Sequence, residues 1–124
     1  MMPPIGCVQA EGICAQDGGH LASIHDAKEN EFVAHIAAVN LKVKPTGSTW
    51  IGLKWAEEKK KFEWTDQSPV DYFNWKMGDP KAMQVMMCTE LYPDDDGNPM
   101  NYRMWGSQAP FFTPNSFVCK MDAS

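Results

Sequence analysis

The chain has 124 residues, of which 44% are hydrophobic and 11% are aromatic, a composition typical of one globular domain rather than a disordered chain. Its formal net charge of -5 argues against nucleic acid or an anionic membrane surface as a partner. No apolar run is long enough to cross a bilayer, so we expect no membrane insertion.

A short helix is predicted at residues 8–17. Val8, Ile13 and Cys14 have the spacing of a short amphipathic helix. The glycine pair at 18–19 is a typical left-handed helix end. The HLASI segment that follows predicts a short extended stretch.

A second helix is predicted from Asp26 onwards. Asp26 and Glu29 have the spacing of a capping box. Acidic side chains in the first turn also stabilise a helix through their interaction with its dipole. The apolar stripe expected to face the core consists of Phe32, Val33, Ile36, Ala37 and Val39.

Strands are predicted in the rest of the chain, separated by one long loop. Residues 48–53 are rich in β-branched and aromatic side chains and lack alternating charged positions, which indicates a strand buried on both faces. Residues 61–64 alternate between polar and apolar side chains and complete a hairpin. Residues 65–87 show no sustained period and indicate a long ordered loop of the kind that carries function. Further short strands are predicted at 86–91, 102–105 and 116–121. Two helices followed by antiparallel strands indicate an α+β fold.

Nine sequence pieces, in order, carry a resemblance to a known family. They are Ala10 with Cys14, GGHLASI at 18–24, the E-x-x-F run of 29–32, WIGL at 50–53, FEWTD at 62–66, SPVDYFNW at 68–75, CTEL at 88–91, Trp105, and FVCK at 117–120. The chain resembles a C-type lectin-like domain. The resemblance implies two helices flanking antiparallel sheets, with a long ordered loop that carries the ligand site.

The resemblance also implies boundaries and a disulfide. We expect the domain at 8–121, with 1–7 as an N-terminal remnant lacking the family's first strand, and 122–124 as a tail. By the same resemblance Cys14 pairs with Cys119, which places the protein in a secreted or extracellular setting, since disulfides persist in oxidising compartments.

The other two cysteines depart from the family pattern. By count alone the four cysteines allow three pairings, and they form no C-x-x-C motif. Cys88 matches an inner cysteine of the family, but the partner expected near residues 109–110 is absent, and Cys7 stands where the family has a tryptophan. We therefore expect Cys7 and Cys88 to be unpaired, and a dimer through either thiol is a candidate assembly.

The calcium site of sugar-binding members is degenerate in this sequence. By resemblance, its loop triplet is Asp79-Pro80-Lys81, with Pro80 expected in the cis form, and its remaining ligand positions are Met86, Gly106 and Ser107. Only Asp79 offers a carboxylate, whereas Ca²⁺ takes six to eight oxygen ligands and an ammonium offers no lone pair. We therefore expect no cofactor, with Ca²⁺ as the alternative.

A separate acidic segment, PDDDGNP at 93–99, is another candidate for a cation site. Asp94 and Asp96 alternate as in a calcium loop, but the glycine is misplaced and no glutamate follows, so a polar turn is the preferred interpretation. The candidate metal ligands are Asp79, Asp94 and Asp96.

The predicted function is a non-catalytic extracellular recognition domain that binds a protein or glycan without the usual calcium site. The alternative is a calcium-dependent carbohydrate-binding lectin with a degenerate or relocated metal site. The candidate ligand-binding residues lie in the long loop: Tyr72, Asn74, Lys76, Asp79 and Lys81.

An enzyme is the least favoured interpretation. His20, His25 and His35 are the candidate general bases, but no serine or cysteine nucleophile motif accompanies them. We expect these histidines to have structural or surface roles, and no catalytic residue is assigned.

Overall fold

The computed structural model describes residues 6–39, 48–80, 86–92, 103–110 and 116–121. Within these ranges the chain forms helices α1 (Cys7–Gln16) and α2 (Ala27–Val39) and strands β1 (Gly19–Leu21), β2 (Thr49–Ala56), β3 (Lys61–Trp64), β4 (Met87–Leu91), β5 (Trp105–Gln108), β6 (Ser116–Phe117) and β7 (Cys119–Met121). The predicted α+β class is confirmed. Most of the expected N-terminal remnant and the tail at 122–124 lie outside the described residues.

Helix α1 lies against the sheets through Cys7, Ala10 and Cys14, which are buried and share one face at helical spacing. Val8, expected on this face, is 61% exposed because it lies one residue from Cys7 and so points elsewhere on the helix. Glu11 joins α1 to β1, since its carboxylate accepts the Leu21 N–H at 2.9 Å. Gly18, with φ of 87°, ends the turn after α1 as predicted.

Helix α2 begins with the predicted cap in a shifted form. The Asp26 carboxylate accepts the Glu29 N–H at 2.7 Å, and the Glu29 carboxylate reaches back to the N–H of His25 at 2.8 Å rather than to Asp26. Val33 is buried against the sheet, but Phe32, expected beside it, is 64% exposed. The prediction for Phe32 was wrong because adjacent helix positions differ by about 100° in direction. The side chains of residues 37–39 lie outside the described set.

The strands form two sheets within the described residues. β1 and β7 pair antiparallel as a two-stranded sheet. The larger sheet has the order β3-β2-β4-β5, and β6 pairs in parallel with the first residues of β2. Residues 49–53 of β2 are all buried, as their apolar sequence predicted. The strand expected at 102–105 begins at its last residue instead and continues to Gln108.

Three of the five tryptophans form the centre of the core. Trp50, Trp64 and Trp105 are fully buried, and the rings of Trp64 and Trp105 meet edge to face at 5.7 Å. Trp64 and Trp105 belong to the cluster between α2 and the sheet, whereas Trp50 lies with the cysteines under α1. Large rigid rings fill such junctions with few rotatable bonds. No helix in the described ranges is long and apolar enough to span a membrane.

Two disulfides join α1 to strands. Cys14 pairs with Cys119, as the family resemblance implied, with their Cα atoms 5.5 Å apart. Cys7 pairs with Cys88, with Cα atoms 6.5 Å apart, so the expectation of two unpaired thiols was wrong. The proposed dimer through Cys7 or Cys88 is therefore not supported, because all four cysteines form bridges within the chain.

The position of Cys7 explains why it replaces the missing partner of Cys88. The Cys7 N–H donates to the Pro110 carbonyl at 3.2 Å, so the start of α1 lies beside the place where the family's partner cysteine was expected. This proximity arises from tertiary packing across 81 residues, which local sequence patterns do not show.

Candidate functional site

The long loop is attached to β5 through its backbone. The Trp105 N–H donates to the Asn74 carbonyl, and the Lys76 N–H donates to the Trp105 carbonyl, both at 2.8 Å. Trp75 and Trp105 thus form an isolated parallel bridge. Because β5 is hydrogen-bonded to β4 in the main sheet, this bridge fixes residues 74–76 on a rigid support.

Trp105 is the ring around which the loop packs. Tyr72 and Trp75 from the loop meet its ring edge to face at 5.7 and 5.8 Å. Its indole N–H donates to the Asn30 side-chain oxygen at 2.8 Å, a buried hydrogen bond to α2. The loop, the second helix and the sheet therefore meet at one side chain.

Two amides converge on one carbonyl beside that ring. The side-chain amides of Asn30 and Asn74 both donate to the Arg103 carbonyl, at 2.9 and 2.8 Å. Arg103 has φ of 60°, a left-handed conformation that turns its carbonyl out of the regular strand path. Asn74, a predicted ligand-binding residue, thus has its amide engaged within the protein.

Lys76 and Asp79, two predicted ligand-binding residues, form an internal ion pair. The Lys76 ammonium lies 3.4 Å from Oδ1 of Asp79, whose side chain is only 3% exposed. Oδ2 of Asp79 accepts the Ser107 N–H at 2.7 Å. The predicted cis peptide between Asp79 and Pro80 is confirmed. The carboxylate expected to face a cation therefore already has an ammonium and a backbone N–H against it.

Gly106 provides the space for this network. A Cβ atom built at residue 106 would lie 3.2 Å from Cε of Lys76, 3.2 Å from the Tyr92 hydroxyl and 3.3 Å from Oδ2 of Asp79. The lysine stem therefore lies across the strand where a longer side chain would stand. The sequence carried two signals for this arrangement, the i,i+3 spacing of Lys76 and Asp79 and the glycine after Trp105, but neither indicates the contact alone.

The described residues do not fit the family's calcium ion. Gly106 and Ser107 offer no carboxylate, and the one carboxylate, Asp79, is paired with Lys76 and Ser107. An ammonium at that carboxylate also repels a divalent cation. In the described ranges no three acidic, histidine or cysteine side chains cluster as a metal site. Asp94, Asp96 and Lys81 lie outside these ranges.

The loop also presents exposed apolar side chains near Lys76. Phe73 is 47% exposed and stacks on Trp75 at 6.3 Å between ring centroids, and Met77 is 79% exposed. Tyr72 is half-buried against Trp105, and its pKa is raised by burial and by the negative charges of Asp26 and Glu31. The Met77 exposure was not anticipated; its place beside Gly78 in a turn is the sequence signal that could have indicated it.

Two of the histidines lie within hydrogen-bonding distance of carboxylates, and the third is exposed. Nδ1 of His20 lies 2.6 Å from Glu11, and Nδ1 of His25 lies 2.8 Å from Asp71. His35 is exposed on α2. Since every cysteine is in a disulfide, no thiol is available to pair with a histidine as a nucleophile.

Comparisons with known proteins agree with this fold. The family model described as "Lectin C-type domain" matches residues 6–121. The chain is 31% identical over 121 residues to C-type lectin BfL-2 of Bungarus fasciatus, covering 94% of this chain and 71% of that protein.

Two solved structures have the same fold. The crystal structure of CEL-IV matches with a TM-score of 0.82 at 24% identity, covering 100% of this chain and 85% of that one. The Ca²⁺-independent C-type lectin SPL-2 from Saxidomus purpuratus matches with a TM-score of 0.76 at 21% identity, covering 97% and 81%. From the family match and the identity to BfL-2, this chain belongs to the C-type lectin domain family.

Proposed function

We propose that this chain is a non-catalytic extracellular recognition domain that binds a protein or glycan ligand without calcium. The observation that carries the proposal is the ion pair between Lys76 and Asp79, completed by the Ser107 N–H. A permanent ammonium at the one surviving carboxylate supplies the positive charge that the family obtains from a metal. The loop is then ordered without a cation.

The ligand-contacting surface in this proposal is the exposed part of the loop around Lys76. Phe73 and Met77 supply apolar contact, and the Lys76 ammonium supplies a hydrogen-bond donor between them in sequence. Tyr72 and Asn74 support this surface from beneath, since one packs on Trp105 and the other bonds the Arg103 carbonyl. Lys81 remains a candidate contact by sequence.

Two further features support the proposal. SPL-2, a structural neighbour, is described as Ca²⁺-independent, which is a property of that protein consistent with ligand binding on this fold without the metal. The two disulfides support a secreted or extracellular location, because such bridges persist in oxidising compartments.

The test of calcium independence uses the whole chain. We expect no saturable heat on titration with CaCl₂ and the same thermal midpoint in CaCl₂ and in EDTA, because a ligand that binds the native state raises its stability. A glycan array in the same two buffers should give the same binding pattern. Binding that EDTA abolishes would instead support the alternative of a calcium-dependent lectin with a relocated site at Asp94 and Asp96.

The test of the binding surface uses a matched pair of variants. Phe73→Ala removes an exposed ring from the loop, and Val8→Ala removes an exposed apolar side chain from α1 at the disulfide-linked side of the molecule. We expect Phe73→Ala to weaken binding of any ligand found and Val8→Ala to leave it unchanged. Equal behaviour of the two variants would contradict the assignment of the loop as the binding surface.

A further inference from the structure

A concave surface separate from the loop surface around Lys76 lies between the hairpin formed by β2 and β3 and the start of the long loop. This cleft has a volume of about 620 Å³ and is lined by Lys54, Lys59, Lys61, Gln67 and Ser68, among others. The volume is in the range of small-molecule sites. Its lining includes none of the residues in the network of Lys76, Asp79 and Ser107.

The charge of this cleft is opposite to that of the chain. Glu63 is the single carboxylate among the described lining residues, and it pairs with Lys59 at 3.2 Å and with Lys54 at 3.6 Å. Lys61 is exposed and has no ion pair within the described part of the chain. The lining thus carries three lysines and one glutamate in a chain whose net charge is -5.

Glu63 stays ionised in this setting. Burial alone would raise the pKa of its carboxyl group, but hydrogen bonds and charge from Lys59 and Lys54 outweigh burial and lower the pKa. The two lysines share this one acceptor, so each ammonium retains donors for a further anionic group. The ammonium groups are accessible, since the Lys54 and Lys59 side chains are 39% and 54% exposed.

The remaining lining combines polar side chains with apolar ones, among which Phe62 is a fixed aromatic wall. Phe62 is half-buried and held by the rings of Trp55 at 5.1 Å and Trp75 at 5.3 Å. Hydroxyl and amide groups come from Ser68 and Gln67. A saccharide suits this combination, because its hydroxyl groups bond polar side chains while the apolar face of its ring packs on an aromatic ring.

We propose that this cleft binds an anionic oligosaccharide carrying sulfate or carboxylate groups. Lys54, Lys59 and Lys61 contact the anionic groups, Gln67 and Ser68 bond hydroxyl groups, and a sugar ring lies against Phe62. The proposal is independent of the calcium-free surface around Lys76, because the two sites share no lining residue. It also gives Lys59 and Lys61, two of the three consecutive lysines at 59–61, a role in ligand binding.

The probe for this test is a sulfated heparin hexasaccharide, titrated calorimetrically into the whole chain. We expect binding that weakens as salt concentration rises, since exposed ion pairs are screened. Lys61→Gln should weaken binding about threefold, and Lys54→Gln together with Lys61→Gln about tenfold, in line with exposed ion pairs. Lys28→Gln, an exposed lysine on α2, is the matched control and should leave affinity unchanged.

Three results would overturn the proposal. The first is no binding of the hexasaccharide at low salt. The second is equal weakening by Lys28→Gln and Lys61→Gln, which would reflect overall charge rather than a site. The third is equally tight binding of a hexaglutamate peptide, which would exclude a saccharide as the preferred class.

A further variant separates this proposal from the one above. Lys76→Gln alters the loop network but no residue of the cleft, so hexasaccharide affinity should not change. Loss of hexasaccharide affinity in Lys76→Gln would contradict the placement of the site in the cleft. The calcium titration tests the loop network and does not depend on the hexasaccharide result.

Discussion

The end of the molecule around α1 and the end around the long loop are held together by different means. Both disulfides leave α1, one to β4 and one to β7. The described part of the loop end has no disulfide and depends on the Trp105 ring, two asparagine amides and the Lys76 to Asp79 ion pair. The α1 end is cross-linked by disulfides, whereas the loop end is held by packing, hydrogen bonds and an ion pair.

This difference explains how the residues at the family's calcium positions can change while the fold is kept. The disulfides at α1 stabilise the chain mainly by restricting its unfolded state. This stabilisation does not depend on which residues form the loop. The loop end is stabilised locally, and there the Lys76 ammonium lies against the Asp79 carboxylate. Each of the following measurements tests one side of this contrast.

The largest effect is expected from removing a disulfide. Cys14→Ser with Cys119→Ser opens a loop of 105 residues and should lower the free energy of unfolding by about 4 kcal/mol. Cys7→Ser with Cys88→Ser opens one of 81 residues and should lower it almost equally, because loop entropy depends on the logarithm of length. Urea unfolding followed by circular dichroism measures both. Unchanged stability in either pair would break the contrast between the ends.

The next effect is expected at the centre of the loop end. Trp105→Phe shrinks a fully buried ring and leaves the Asn30 side-chain oxygen without its indole donor. The combined cost is about 3 kcal/mol. Thermal and urea unfolding by circular dichroism report it, with Val8→Ala as an exposed control. A loss no larger than that of the control would show that Trp105 does not organise this end.

A smaller effect is expected from the ion pair itself. Asp79→Asn keeps an acceptor for the Ser107 N–H but leaves the partly buried Lys76 ammonium without its carboxylate. We expect a loss of about 1.5 kcal/mol. Asp17→Asn, on the exposed turn after α1, is the control and should change stability by less than about 0.5 kcal/mol. A stabilising effect of added CaCl₂ on the parent chain, absent in Asp79→Asn, would contradict the calcium-free role of Asp79.

The smallest effect concerns pH and the first turn of the loop. Burial alone would raise the pKa of Asp66, but hydrogen bonds from Ser23 and Ser68 and the charge of Lys120 outweigh it, so the pKa lies below its ordinary value of 3.8. A lowered folded-state pKa contributes stability that is present above pH 3.8 and is lost as pH falls through the folded value.

The matched variant for this effect is Asp66→Asn. It should lower stability by about 1 kcal/mol at neutral pH, through weaker hydrogen bonds to Ser23 and Ser68. The gap between parent and variant should close in acid below the folded pKa of Asp66. A gap that stays constant across this range would show that ionised Asp66 is not the source.

The sequence predicted the features that depend on local pattern or family resemblance. The buried strand at 49–53 followed from its apolar run, and the α2 cap followed from the spacing of Asp26 and Glu29. The bridge from Cys14 to Cys119 was implied by resemblance. Phe32 was wrongly included in the buried stripe of α2. Its neighbour Val33 is buried, and adjacent helical side chains point in directions about 100° apart.

The remaining features depend on contacts between distant residues. The bridge from Cys7 to Cys88 requires the start of α1 to lie against β4, and no motif near either cysteine reports that packing. The internal pairing of Asp79 with Ser107 likewise joins residues from the loop and β5. Three of the predicted ligand-binding residues, Tyr72, Asn74 and Asp79, make contacts within the protein. The sequence alone does not distinguish such residues from residues that contact a ligand.

The absence of a side chain at residue 106 constrains how this domain can change over evolutionary time. A Cβ atom there would lie 3.2 to 3.3 Å from the ends of the Lys76, Tyr92 and Asp79 side chains, so a larger residue requires these side chains to shift. A substitution at 106 therefore affects the position of Lys76 and its ion pair with Asp79. Changes at 106 and at 76 are thus linked through one contact, and the two positions are expected to vary together.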